Sequence, residues 1–243
     1  FVSDHGMSRC VLGTNRDDFS QPPPCRGCAA QSRALYAGQD VRWFRYAPDA
    51  QVEQAVAGLD VDALASFVYQ GVPLGQIILP AFRWVLRRHH FADNEANRFL
   101  YRTYILSAWS LYRQFNAVMD DTNPQAVVVF NGQFYPEATA RYAAQQRGLR
   151  VISHEVGLQP YSGYFTAGEA TAYPIDIPDD FELSAQQNAR LDAYLEKRMQ
   201  GNFSMAGIRF WPEMRPLDPA FWERAAKFRQ IVPVFTNVVF DTS

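Results

Sequence analysis

QAVVVFNGQFYPEATARYAAQQRGLRVISHEVGL, residues 125 to 158, is the stretch whose reading decides the fold. Ala126 to Phe130 is a short valine-rich run, the pattern of a strand buried on both faces of a parallel sheet. Asn131-Gly132 breaks it. Pro136 then stands where a helix starts, and Glu137 falls in the first turn, where the helix dipole favours a carboxylate. Ala138, Tyr142 and Ala143 share one face of that helix, and Gly148 ends it. Leu149 to Ser153 is the next strand, with His154-Glu155 at its carboxyl end. Ligands of open α/β sheets bind outside the carboxyl ends of the strands, so Asn131-Gly132-Gln133 and His154-Glu155 are expected to open onto the functional face.

Outward from this unit, the spacing of Ile78, Phe82, Val85 and Leu86 predicts a helix. The stripe Leu100, Tyr104, Trp109, Leu111, Phe115 predicts a second one, from about Asn94 to Met119. Cys25 to Ala37 reads as a helix closed by Gly38, Val41 to Tyr46 as a strand, and Pro48-Asp49 as the start of a short helix. Leu59 to Gly71 is ambiguous. Beyond His154-Glu155, Tyr161 to Gly168 reads as an irregular loop or short hairpin. Ser184 is a good N-cap for a helix to about Met199, and Asp218-Pro219 opens the last helix. Strands alternating with helices predict an α/β fold with a mainly parallel sheet and a helical insertion at about 76–119. Phe1 and Val2 read as the end of a strand, and Ile231 to Phe240 as another strand. The expectation is therefore a piece of a longer protein, with 1–230 as one domain and 231–243 as the start of a second or a link to it.

The 243 residues carry 48% hydrophobic side chains, with 18 Phe, 12 Tyr and 5 Trp, enough to fill a substantial core. The net charge of −2 argues against a general nucleic-acid binder. No apolar run reaches the ~18 residues that cross a bilayer, and no secretory signal is visible. Three cysteines without such a signal point to the reducing cytoplasm.

Four groups of residues carry candidate chemistry. Cys25-x-x-Cys28 with Cys10, and His5 as a fourth ligand, resembles part of a structural zinc site, because C-x-x-C supplies two ligands from one turn. The other readings are a redox pair and three packed thiols. Asp4-His5-Gly6 follows a strand remnant: His5 suits a general base, and Gly6 lets backbone approach a ligand, or the segment is a capped turn. Asn131-Gly132-Gln133 presents backbone N–H groups and amides that suit sugar hydroxyls, although it is also an ordinary turn sequence and lacks a dinucleotide fingerprint. His154 or Glu155 suits a general base, with an arginine partner such as Arg150 as the plain alternative. His89-His90 beside Arg83, Arg87 and Arg88 reads as a solvated basic helix end, with an anion contact as the second reading.

Taken together, GVPLGQIILPAFRWVLRRHH (71–90), VVVFNGQFYPEATARYAAQQRGLRVISHEVG (127–157), VPVFTNVVFDTS (232–243) and the glycine-cysteine segment 6–28 resemble the amino-terminal half of bacterial glycosyltransferases of the capsule and surface-polysaccharide type. The resemblance implies one half of a GT-B arrangement, a Rossmann-like domain on the acceptor side of a cleft. A nucleotide-sugar donor would be held by a second domain. It implies that His5, Gly6, Asn131 and His154-Glu155 line the cleft, and that Asn237 and Asp241 lie at the start of the second domain or the link. It also implies metal-independent transfer to a carbohydrate hydroxyl, so that a zinc at the cysteines would be structural and no cofactor is needed for catalysis. Acceptors of this kind are often lipid-linked, which leaves a peripheral membrane contact open. The competing readings are a non-catalytic sugar- or nucleotide-binding module and a zinc-stapled interaction domain.

Overall fold

One apolar helix and two amphipathic helices build the core. The computed structural model describes residues 2–3, 5–157, 159, 161–172, 175–200 and 218–232. Their elements are, in order, β1 (Val2–Ser3), α1 (Cys25–Leu35), β2 (Trp43–Phe44), α2 (Ala50–Val56), α3 (Val61–Ala65), α4 (Leu74–Leu86), α5 (Glu95–Thr122), β3 (Ala126–Phe130), α6 (Tyr135–Gln146), β4 (Arg150–Val156), β5 (Gly163–Thr166), a 3-10 turn (Ala170–Ala172), α7 (Ala185–Met199) and α8 (Pro219–Ala225). The fold is mixed α/β. The described strands form a parallel pair, β1-β2, and a three-stranded mixed sheet in the order β3-β4-β5, rather than one continuous parallel sheet. The segment 232–243, with Asn237 and Asp241, lies outside the described residues except for Val232.

Among the described residues the chain divides into two compact units. One takes in 2–3, 5–154 and 165–172; the other takes in 155–157, 159, 161–164, 175–200 and 218–232. In the first, α4 buries Leu74, Ile77, Ile78, Phe82 and Val85, and α5 buries Leu100, Tyr101, Tyr104, Ile105 and Leu111. Each such side chain contributes roughly 1.5–3 kcal/mol when fully buried. The stretch read as an insertion is therefore the centre of the core, and α4, α5 and α6 pack on one another. The Phe82 ring lies 4.3 Å from that of Tyr101, and Tyr104 lies 4.9 Å from Tyr135. Gly75 allows α4 to approach α3, because a Cβ there would stand 2.2 Å from the Leu64 carbonyl oxygen. Its own carbonyl accepts from the Tyr101 hydroxyl at 3.1 Å.

The helix ends follow local chemistry. Asp49, Asp60, Asn94 and Ser184 cap α2, α3, α5 and α7 through their side chains, and Ser184 with Gln187 forms a complete capping box. Asn123, left-handed at φ 43°, closes α5. The strand read over 41–46 shrinks to Trp43–Phe44, while the ambiguous 59–71 stretch yields α3.

Two details of the decisive stretch differ from expectation. β4 continues to Val156, so His154 and Glu155 lie within the strand rather than beyond it. β3 is also covered on one face only. Val129 is buried, whereas Val128 is 60% and Phe130 48% exposed. The valine run therefore reflects strand propensity at a half-open sheet rather than burial on both sides.

The second unit has a different character. Of its described residues only Gly157 is buried, and neither α7 nor α8 buries a side chain.

Candidate functional site

Parallel pairing sets the turn after β3 beside the carboxyl-terminal part of β4. β3 and β4 run in register from Ala126↔Arg150 to Phe130↔His154. The Asn131 N–H then donates to the His154 carbonyl at 2.7 Å, so the turn after β3 is tied to β4. Asn131 (φ 59°) and Gly132 (φ 83°) are both left-handed, and the Asn131 side chain accepts from the Gln133 N–H at 3.0 Å. Gly132 is required twice over: its backbone is one that side chains resist, and a Cβ would stand 3.0 Å from the Ser153 Oγ. Ser153 is wholly buried, and its hydroxyl has no hydrogen-bond partner among the described residues. Such groups are rare and call for a reason; this one lies directly beneath the turn.

The turn leads into α6, and its side of the sheet carries a polar set. Gln133 Nε2 donates to Glu169 Oε2 at 2.6 Å and to Thr171 Oγ1 at 3.3 Å, while Arg141 pairs with Glu169 Oε1 at 2.9 Å. Gln133, Arg141 and Glu169 line a cavity of about 220 Å³ together with Gln76, Tyr142 and Gln145. Pro80 also lines it and cannot donate to the Gln76 carbonyl one helical turn earlier. Amides, a phenol and a half-buried ion pair give donors and acceptors together, the mixture that sugar hydroxyls need. Arg141, Glu169 and Ser153 were not singled out by the sequence. Arg141 sits one turn beyond Glu137 on the same helix, a spacing that reads as an ordinary helix-surface ion pair, and Glu169 joins only through the fold.

Glu137 differs from its expected role. Burial pushes its carboxyl up to about 7, against the opposing pull of its own backbone N–H. Desolvation therefore outweighs the helix dipole.

On the opposite, open face of the same sheet, His154 lies in a row of rings. Its imidazole is 5.4 Å from Phe130 and 5.7 Å from Phe165 between ring centroids, and Phe165 is 64% exposed. Alternation along β4 accounts for this: Ser153 faces α6 and His154 faces outward. Glu155 belongs to the second unit, where its Oε1 accepts from the Val156 N–H at 2.7 Å. Adjacent in sequence, His154 and Glu155 serve different surroundings.

His5 and Gly6 lie at the other parallel pair. The register Val2↔Trp43, Ser3↔Phe44 carries the chain to His5 and to Arg45-Tyr46, and the Tyr46 N–H donates to the His5 carbonyl at 2.9 Å. His5 is exposed with φ 58°, and Gly6 is buried. His5 lines a cleft with residues of α1 and with Arg45 and Tyr46 after β2, so neither cavity brings His5, Asn131 and His154 together.

Cys10 is near enough to Cys25 and Cys28 for their charges to act on it. Burial is the main cause that raises its thiol pKa. Among the described residues no group of three or more His, Cys, Asp or Glu is disposed to hold a metal ion. His89 and His90 stand exposed beyond α4, their rings 4.8 Å apart, and neighbouring Arg83 is the first cause of a lowered His89 pKa. Also among the described residues, no helix is long and apolar enough to cross a membrane.

No family model, curated protein or solved structure matches the chain.

Proposed function

We propose that this chain is the acceptor-side part of a metal-independent glycosyltransferase, one half of a GT-B-like enzyme. It would present a carbohydrate hydroxyl to a nucleotide-sugar donor. The observation that carries this reading is the row Phe130–His154–Phe165 on the open face of the β3-β4-β5 sheet. Exposed rings give a sugar an apolar platform, and an imidazole set among them can take the proton of a hydroxyl resting there. In the reaction, the acceptor oxygen attacks the anomeric carbon as the bond to the nucleoside diphosphate breaks. The hydroxyl proton passes to His154, and the diphosphate departs with the bond's electrons. Glu155, bonded to its own strand, helps fix the end of β4.

The test is transfer from radiolabelled UDP-, GDP- and dTDP-sugars to capsule-type oligosaccharides, with His154→Ala and Phe165→Ala as variants. His154→Ala is expected to lower kcat ~100- to 10,000-fold, as loss of a general base does. Phe165→Ala should chiefly raise KM. Saturation-transfer NMR on the same oligosaccharides follows binding separately. Binding without transfer would leave a non-catalytic sugar-binding module. If wild type neither binds nor transfers, or if both variants match it, the assignment is wrong.

A further inference from the structure

The cavity between α4 and α6 has a chemistry of its own, and the fold sets it apart from the row of rings. Ala138, Arg141, Tyr142 and Gln145 line it at helical spacing along one face of α6, and Gln76 and Pro80 line it from α4. Its charge is cancelled from within. Arg141 pairs with Glu169 Oε1 at 2.9 Å, and Gln133 Nε2 donates to Glu169 Oε2 at 2.6 Å. A ligand of either sign would have to break this pair and leave one charge uncompensated. A neutral ligand instead meets the remaining guanidinium N–H groups and the second lone pairs of the carboxylate. The other polar groups lean towards acceptors. Gln133 uses its amide N–H groups on Glu169 and Thr171, and Gln76 donates to the Ala65 carbonyl at 2.9 Å, so both offer amide oxygens. The Tyr142 hydroxyl donates to the Gly71 carbonyl at 3.0 Å, so its oxygen is left to accept. Pro80 has no N–H for the Gln76 carbonyl, which is a further acceptor. Gln145 adds a donor and an acceptor together.

We infer that this cavity is a non-catalytic binding site for one neutral monosaccharide ring, separate from the surface on which a hydroxyl would meet His154. Acceptors in excess call for a ligand rich in O–H donors, and the same hydroxyls accept from Arg141 and Gln145. Ile77, Pro80 and Ala138 give the C–H face of a ring an apolar wall. The volume of about 220 Å³ is below the ~300–1,000 Å³ of sites for drug-sized ligands, so it admits a single ring rather than an oligosaccharide. Ser153 faces α6 and His154 faces the other way along β4, so a sugar held here is out of reach of the imidazole. The site stands on its own residues and does not depend on the glycosyl-transfer reading.

The test is titration of the 243-residue chain with glucose, galactose, mannose and N-acetylglucosamine into the millimolar range, followed by saturation-transfer NMR and calorimetry. At least one should bind. Gln76→Ala and Gln145→Ala should each weaken it about two- to tenfold, as the loss of one neutral hydrogen bond does. Both glutamines are exposed, so the variants should fold, and circular dichroism melting checks this. Glucuronate and glucosamine, which add a charge of either sign to the ring, should bind no better than glucose, and rising salt should leave the neutral sugar's affinity unchanged. The titrations are repeated in a Phe165→Ala background, which disables the row of rings. Binding that persists there and falls with the glutamine variants supports the cavity, even if no transfer is ever seen. Binding that disappears with Phe165→Ala and ignores both glutamine variants puts the sugar on the row of rings; the transfer reading then survives and this proposal fails. It is also overturned if none of the four sugars binds, or if a charged ring binds more tightly than its neutral counterpart.

Discussion

Glu137 sets two forces against each other within one residue. The first turn of α6 favours its charge by about 0.3–1 kcal/mol. A carboxyl raised from its ordinary value to about 7 has met a desolvation cost of roughly 3–4 kcal/mol, so burial wins. The sign for stability follows. Between the ordinary value and about 7, the folded protein holds a proton that the unfolded chain has released. Stability therefore falls as pH rises through this window and levels off above it. Urea unfolding near pH 5 and near pH 8 should show wild type losing about 2–3 kcal/mol across the interval and Glu137→Gln losing markedly less. Equal losses in the two proteins would mean that Glu137 is solvated.

At the scale of elements, α5 acts as a template for the loops around it. Ser107 Oγ accepts from the Ser8 N–H at 3.0 Å, Ser110 Oγ from the Ala47 N–H, and Gln114 Oε1 from the Arg45 N–H. These three polar residues recur at helical spacing, a seam that holds the loops bearing His5 and Arg45. Ser107 and Ser110 are themselves buried, so Ser110→Ala leaves the Ala47 N–H without its acceptor and should cost about 1–3 kcal/mol in urea unfolding. A loss within experimental error would show that the loop finds another acceptor. The seam also shows what the sequence discloses. The apolar stripe of α5, the Asn94 and Ser184 caps, and the strand-turn-helix-strand order from 126 to 156 follow from local periodicity and capping, and all are present. Ser107 and Ser110 read as mere interruptions of the stripe, because their partners lie 99 and 63 residues away. The same limit hid Ser153, one more residue of a strand pattern until Gly132 is folded over it, and Glu169, which meets Gln133 and Arg141 only in three dimensions. Local pattern located the turn at 131–133 but not the groups that surround it.

For the molecule as a whole, the distribution of burial is uneven. Every buried apolar side chain of the core, from Val11 to Ala170, belongs to the first unit. α5 alone buries eleven residues, whereas α7, fully helical and well capped, buries none. Hydrogen bonding within a helix is nearly neutral against water, and most helical stability in proteins comes from packing an apolar face. α7 should consequently open by local fraying at little cost, while α5 should open only when the core does. Hydrogen exchange read by mass spectrometry would measure the difference. Peptides from α7 are expected to exchange at least ~100-fold faster than peptides from the middle of α5, a gap of about 3 kcal/mol or more in opening free energy. Leu191 and Leu195 are the side chains to watch, since they are 41% and 39% exposed and lie one turn apart on α7. Protection of α7 equal to that of α5 would contradict the expectation and would mean that this stripe is covered in solution.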